Sequence, residues 1–488
     1  MTPLRRTRGP LLLILLSLSV PTRAADAPGP VDAKAAVGHW EGEIELPQNA
    51  GKLQVMVDLA LAGGAWTGSI DIPMQGAKGL PLEEVSVQGS KVHFQIKGTP
   101  GTPTFDGTLT LSPAQAIQGT FMQGGASLPF RLGREAVAKP VRLQEPKPPF
   151  PYTAEEVSYT NGDVKLAATL TLPPGPGPFP AVVMITGSGA QDRDESLLGH
   201  KPFLVLADHL SRHGIAVLRA DDRGIGGSTG SVPDSTTADF AQDALAGVRF
   251  LQAHPKIAKD RIGLLGHSEG GVVGPLAASQ SSDVAFVVML AGTGVPGAEV
   301  LLLQSERIAR AEGVPEETIQ KQLAATRKVI GVLRTESDPA ARDTKLRQAA
   351  REAAEAMTPD ELRTAGGVDK VVEGSSRIFA SPWFRYFLDY DPRPALRKVK
   401  VPVLAVNGEL DLQVIPDQNL PEIEKALKEA GNRDVTIKRM PGVNHVLQPA
   451  RTGSPSEYAN SEITIDPKVL DAVSQWIAER FAAPKTAG

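Results

Sequence analysis

Arg261-Ile262-Gly263-Leu264-Leu265-Gly266-His267-Ser268-Glu269-Gly270-Gly271 is the stretch on which the reading of this chain turns. An apolar run enters a serine flanked by glycines in the pattern G-x-S-x-G, and the small-residue segment 271–279 leaves it. The pattern alone carries little weight in a chain with 48 glycines. Its context carries more: a strand candidate, a sharp turn and a helix candidate follow one another without a gap. In such a corner the serine is strained, its hydroxyl is lifted above the next helix, and larger side chains in place of the glycines would strike neighbouring elements.

Working outward, residues 181–185, 215–218, 262–265, 286–290 and 401–406 are further short, continuous apolar runs. Runs of that kind suit strands covered on both faces. Helical stretches such as 203–213 and 238–252 lie between them. The alternation predicts an α/β fold, a doubly wound and mostly parallel sheet. The stretch 297–385 interrupts it. Rich in Ala, Glu, Arg, Lys and Leu, it reads as a helical insertion between two sheet strands, expected to cap the site. A dimer surface or a packing appendage are the alternatives. Phe379, Trp383, Phe384, Tyr386 and Phe387 cluster there, as pocket lining or as packing of the cap on the sheet.

A serine hydroxyl is a weak nucleophile near neutral pH and needs a base within hydrogen-bond reach. The chain has eight histidines. His39 and His93 fall in an N-terminal β region, and His209, His213 and His254 sit on or beside helices. His200 lies in the loop region after the strand 181–185 and stays a candidate. The side chain of His267, inside the elbow, should point away from that of Ser268. His445 follows the strand candidate 434–439 on a loop, placed to reach the serine, and is the expected base. Such a base needs a carboxylate to fix its tautomer. Asp411, just past the strand 401–406, is the expected partner, with Glu409 its nearest rival. Acyl transfer also needs fixed donors for the oxyanion. The expected donors are the backbone amides of Glu269 and of Ser188, in the loop Thr186-Gly187-Ser188-Gly189, with Gly187 or Gly189 as neighbouring alternatives. Asp192, Arg193 and Asp194 read as an ion-pair network shaping that loop, with substrate contact the alternative.

Taken in order, these residues resemble the α/β-hydrolase superfamily and, within it, bacterial serine esterases with an N-terminal accessory domain. The resemblance rests on residues 186–194, the loop Asp221-Asp222-Arg223-Gly224-Ile225-Gly226-Gly227-Ser228, the elbow, residues 407–411 and Asn444-His445, and covers about 152–485. The family often has His-Gly where this chain has Thr186-Gly187. The resemblance implies a serine carboxylesterase acting on short-acyl esters, with Ser268, Asp411 and His445 as its triad in the superfamily's order. An aminopeptidase or amidase shares fold and triad and is the alternative; a non-catalytic binding protein is a weaker one. The chemistry calls for no metal and no organic cofactor, and the expected partner is a small-molecule ester.

The rest of the chain bounds this reading. Without cysteine there are no disulfides, thiolate metal sites or cysteine nucleophiles. A net charge of −4 gives no basic excess that would point to nucleic acid. Arg5, Arg6 and Arg8 precede a largely apolar run, 11–20, too short for a membrane span of about 20 residues. With the small residues that follow, residues 1–24 read as a cleavable signal peptide, cut near Ala24 or Ala27, which implies a periplasmic or secreted protein. Residues 36–135 alternate polar and apolar between turn residues, as in a small antiparallel sheet or barrel. Five prolines within 139–151 mark residues 136–151 as a stiff linker. The hydrolase region, 152–488, follows.

Overall fold

The structure is a computed structural model. It describes residues 32–45, 52–72, 77–98, 102–112, 114–123, 126–134, 142–355, 357, 362 and 367–481. The expected signal peptide lies outside them.

The period-two alternation near the N-terminus forms eight antiparallel strands: β1 (Gly38–Glu45), β2 (Lys52–Ala62), β3 (Ala65–Ile72), β4 (Ala77–Gln88), β5 (Lys91–Ile96), β6 (Thr104–Thr110), β7 (Ala116–Gln123) and β8 (Ala126–Gly133). β1 pairs with both β2 and β8, so the sheet closes into a barrel with no free edge. Every second side chain points inward, and Trp40, Ile44, Val55, Phe94 and Phe105 fill the interior. A barrel this small is packed solid rather than hollow. Gly119 lets β7 approach β6, since a Cβ there would sit 1.9 Å from the Asp106 carbonyl.

The apolar runs become one eight-stranded sheet. Its strands are β9 (Thr153–Asn161), β10 (Val164–Leu172), β11 (Phe179–Ile185), β12 (Ala216–Ala220), β13 (Ile257–His267), β14 (Phe286–Leu290), β15 (Val403–Gly408) and β16 (Val435–Met440). Their order is β16-β15-β14-β13-β11-β12-β10-β9. All pairs from β12 to β16 are parallel, while β10 runs antiparallel to both β12 and β9. The β9–β10 hairpin has no counterpart in the sequence reading. β9 is a mostly exposed edge strand and β10 breaks its apolar residues with threonines, so neither carries a continuous apolar run.

Both faces of the sheet are covered, which is why its central strands are largely apolar. The helices α1 (Pro202–Arg212) and Pro467–Phe481 cover one face through Phe203, Leu206, Leu210, Val473 and Trp476. α2 (Thr237–Gln252), α3 (Gly270–Ala278) and Pro416–Glu429 cover the other through Leu245, Val248, Leu276, Ile423 and Leu427. Between β14 and β15 the chain leaves the sheet as a run of helices that includes α4 (Gly297–Ala311), α5 (Glu316–Thr335), α6 (Pro339–Glu355), Val368–Ala380 and Pro382–Asp389. This is the expected helical insertion.

Of the proline-rich segment, residues 142–151 are described. Arg142 donates to the carbonyls of Leu198 (2.9 Å), Ala459 (3.1 Å) and Ser461. Gln144 Oε1 accepts the amides of Thr464 and Ile465. No helix among the described residues is long and apolar enough to cross a membrane.

Candidate active site

β13 ends at His267 and α3 begins at Gly270, so the turn between them has two residues to reverse direction. Ser268 absorbs the strain with φ +53°, a left-handed conformation that is costly for a residue with a Cβ. The glycines around it are there for close approach. A Cβ on Gly266 would lie 1.9 Å from the Gly270 carbonyl oxygen, and one on Gly270 would lie 2.1 Å from that of Ile185. The corner is held from the next strand, where the Leu290 carbonyl accepts the Ser268 amide at 2.8 Å.

Asp411 follows β15 and His445 follows β16, both at the carboxyl end of the sheet. His445 Nδ1 lies 2.9 Å from Asp411 Oδ2, and both side chains are buried. The other oxygen of Asp411 accepts the amides of Gln413 and Val414, each at 2.8 Å. The carboxylate is therefore fixed from behind and the ring from in front. Glu409 is exposed, and Asp417 pairs with Arg439, away from the ring. His200 is buried elsewhere, between Thr464 Oγ1 and the Tyr458 carbonyl, and burial pushes it down to about 4. It is a neutral packing residue.

Ser268 and His445 line one cavity of about 320 Å³. Ser188 and Glu269 line it too, as do Val300, Leu301, Trp383, Phe384 and Phe387 from the helical insertion. The insertion thus caps the site. Trp383, Phe384 and Phe387 also pack with Phe379, Ala298 and Leu388, so the aromatic cluster both lines the cavity and holds the cap together. Tyr386 stacks on Tyr390 at 5.4 Å and is not part of the lining. In the loop after β11, the amide of Gly187 is engaged by Glu195 Oε1 at 2.7 Å. Gly189 lines a smaller cavity behind the loop. Of the three loop residues weighed, Ser188 is the one on the main cavity with its amide not taken by Glu195.

The loop is tied down by ion pairs. Arg193 bridges Asp221 (2.8 Å) and Glu156 (2.5 Å), and Asp194 pairs with the buried Arg219. Asp192 Oδ1 accepts the amides of Asp194 and Ser196. These residues shape the loop, as the sequence suggested.

Three features escaped the sequence reading. Glu195 is buried, has φ +53°, and faces His267 Nδ1 at 2.9 Å. His267 lines the same cavity as Ser268, and its Nε2 reaches the His445 carbonyl at 3.0 Å. The side chain of Glu269 is buried, accepting hydrogen bonds from Thr237 Oγ1 (2.8 Å), Trp383 Nε1 (2.9 Å) and the Ser188 side chain. Burial raises this carboxyl above the usual range, against the pull of those donors.

A family model described as X-Pro dipeptidyl-peptidase (S15 family) matches residues 161–441. The chain belongs to that family. With the sheet order above, it is an α/β-hydrolase with an N-terminal eight-stranded barrel, and an enzyme of the serine hydrolase class. Esterase EstD of Thermotoga maritima is 28% identical over 338 residues, covering 67% of this chain and 69% of that one. Among solved structures, the Pyrococcus furiosus esterase Pf2001 is 16% identical with a TM-score of 0.41, covering 68% of this chain and 94% of its own. The α/β-hydrolase GrgF from Penicillium sp. sh18 is 16% identical with a TM-score of 0.43, covering 68% and 100%.

Proposed function

We propose that this chain is a serine carboxylester hydrolase that cleaves short-acyl esters with Ser268, His445 and Asp411. One observation carries the reading. A single, largely apolar cavity is lined both by a serine held at φ +53° and by a histidine whose Nδ1 is taken by a buried carboxylate. With Nδ1–H donating to Asp411, the lone pair of His445 is on Nε2, where it can accept the Ser268 hydroxyl proton as the oxygen attacks the ester carbonyl. The amides of Ser188 and Glu269 take the developing oxyanion, and each such donor contributes about 3–4 kcal/mol to the transition state. The alcohol leaves with the proton from His445. Water then loses a proton to His445, attacks the acyl-serine, and releases the acid.

A second reading, cleavage of an X-Pro amide, has the family description behind it. A dipeptidyl substrate presents an ammonium, which needs an unengaged acid nearby. Among the described residues, the two carboxylates on the cavity wall, Glu195 and Glu269, are both occupied, by His267 with Gly187 and by Thr237, Trp383 and Ser188. That favours the ester. The test is hydrolysis of p-nitrophenyl butyrate beside an X-Pro p-nitroanilide, with Ser268→Ala as control. Ester turnover lost in the variant, with little anilide cleavage, is expected. Dominant anilide cleavage would replace the ester reading, and turnover independent of Ser268 would overturn the site. Export rests on residues 1–24; the mature chain is expected to begin just after Ala24 or Ala27, which intact-mass measurement of the exported protein checks.

A further inference from the structure

His267 and Glu195 have no step in the reaction above, yet both are buried against it. Glu195 Oε1 accepts the amide of Gly187 at 2.7 Å and faces His267 Nδ1 at 2.9 Å. On the other side of the ring, Nε2 lies 3.0 Å from the carbonyl oxygen of His445. A carbonyl oxygen only accepts, so Nε2 carries a proton. A carboxylate oxygen already receiving an amide also accepts, so Nδ1 carries one as well. The ring that satisfies both contacts is an imidazolium. Opposite an ionised Glu195, a neutral ring would leave one of them without a proton.

The three segments joined in this way are the ones the reaction has to align. Gly187 precedes Ser188 in the oxyanion loop, His267 precedes Ser268 in the elbow, and the accepting carbonyl belongs to His445 itself. We propose that His267, held as an imidazolium by Glu195, is a positioning residue for the ester hydrolysis proposed above, fastening the oxyanion loop, the elbow and the base loop to one another. The ring centroids of His267 and His445 are 5.0 Å apart. Because the Glu195 carboxylate balances the imidazolium, the charge that His445 gains during the reaction does not face an uncompensated like charge. The titratable groups around His267 are Glu195 before Nδ1 and His445 with Asp411 beyond Nε2, while Asp222 lies behind Glu195. Burial alone would discharge the ring, but the facing carboxylate outweighs it and holds the proton to about pH 9.

Glu195→Gln keeps the shape and removes the charge. The expected result on p-nitrophenyl butyrate is a kcat lower on the order of 100-fold, the scale set by a misalignment of about 1 Å, with KM little changed. The alkaline limb of the kcat profile should move to lower pH while the acid limb stays. A variant with wild-type kcat and an unmoved alkaline limb would overturn the proposal. A second measurement needs no variant and no turnover. In histidine labelled with nitrogen-15, one ring of the wild-type protein should carry two slowly exchanging N–H protons at pH 7.5, because both are buried and bonded. If no ring carries two, His267 is neutral and the proposal fails, whatever the ester assay says about Ser268.

Discussion

Asp411→Asn tests the base assignment through its tautomer. One oxygen of Asp411 accepts two backbone amides, from Gln413 and Val414, at 2.8 Å each. The other faces His445 Nδ1 at 2.9 Å. In the asparagine variant the two amides can be satisfied only by the carbonyl oxygen, so the NH₂ is turned toward the ring. An NH₂ donates, which forces Nδ1 to accept and places the ring's proton on Nε2. The lone pair that should take the Ser268 proton is then on the wrong nitrogen. In a serine triad this costs on the order of 10⁴-fold in kcat, or about 5.5 kcal/mol of barrier. The side chain stays isosteric and bonded, so the thermal midpoint should hardly move. Asp411→Ala frees the ring to keep its proton on Nδ1 but leaves two amides unpaired, one buried and one part-buried, a cost of up to about 1–3 kcal/mol each. Alanine should therefore lose more stability than asparagine and no more activity. Initial rates on p-nitrophenyl butyrate and thermal unfolding of both variants decide it. A folded Asp411→Asn protein with more than about a tenth of wild-type kcat would refute the reasoning, since the tautomer effect is on the order of 10⁴-fold.

Trp383→Phe removes the N–H that Glu269 accepts at 2.9 Å; a loss of about 1.5–3 kcal/mol in unfolding free energy and a raised KM are expected, and an unchanged urea midpoint would count against a stabilising role for that hydrogen bond. The His267 proton gives a stability term with a definite sign. Its folded value, about 9, is above the ordinary value of 6.5, so the stabilisation is complete below pH 6.5 and disappears as pH rises through 9. The full term is about 3 kcal/mol, and Glu195→Gln should flatten that slope in urea unfolding between pH 7 and 9.5. Arg142→Ala strips donors from the Leu198 and Ala459 carbonyls and should lower unfolding free energy by about 2 kcal/mol, measured the same way.

The elbow is legible in the sequence because its causes are local. Gly266, Ser268, Gly270 and Gly271 are within six residues, and backbone sterics in that span leave few ways to join a strand to a helix. Asp411 and His445 are legible for a related reason: each follows a strand candidate, and parallel strands deliver the loops after them to one end of the sheet. The insertion between residues 297 and 385 shows itself by breaking the alternation. The barrel's alternation predicts strands, but whether β1 meets β8 depends on twist accumulated over all eight.

What only the tertiary structure decided are the contacts between loops. Glu195 reaches His267 across 72 residues, His267 reaches the carbonyl of His445 across 178, and Trp383 reaches Glu269 across 114. None has a periodicity or a spacing of its own. An acid in a loop looks the same in sequence whether it is solvated or buried against an imidazole, because its partner is chosen by where two loops land once the sheet has formed. The same holds for the choice among Gly187, Ser188 and Gly189. The loop itself offers three amides, and Glu195, folding back from outside it, takes the first.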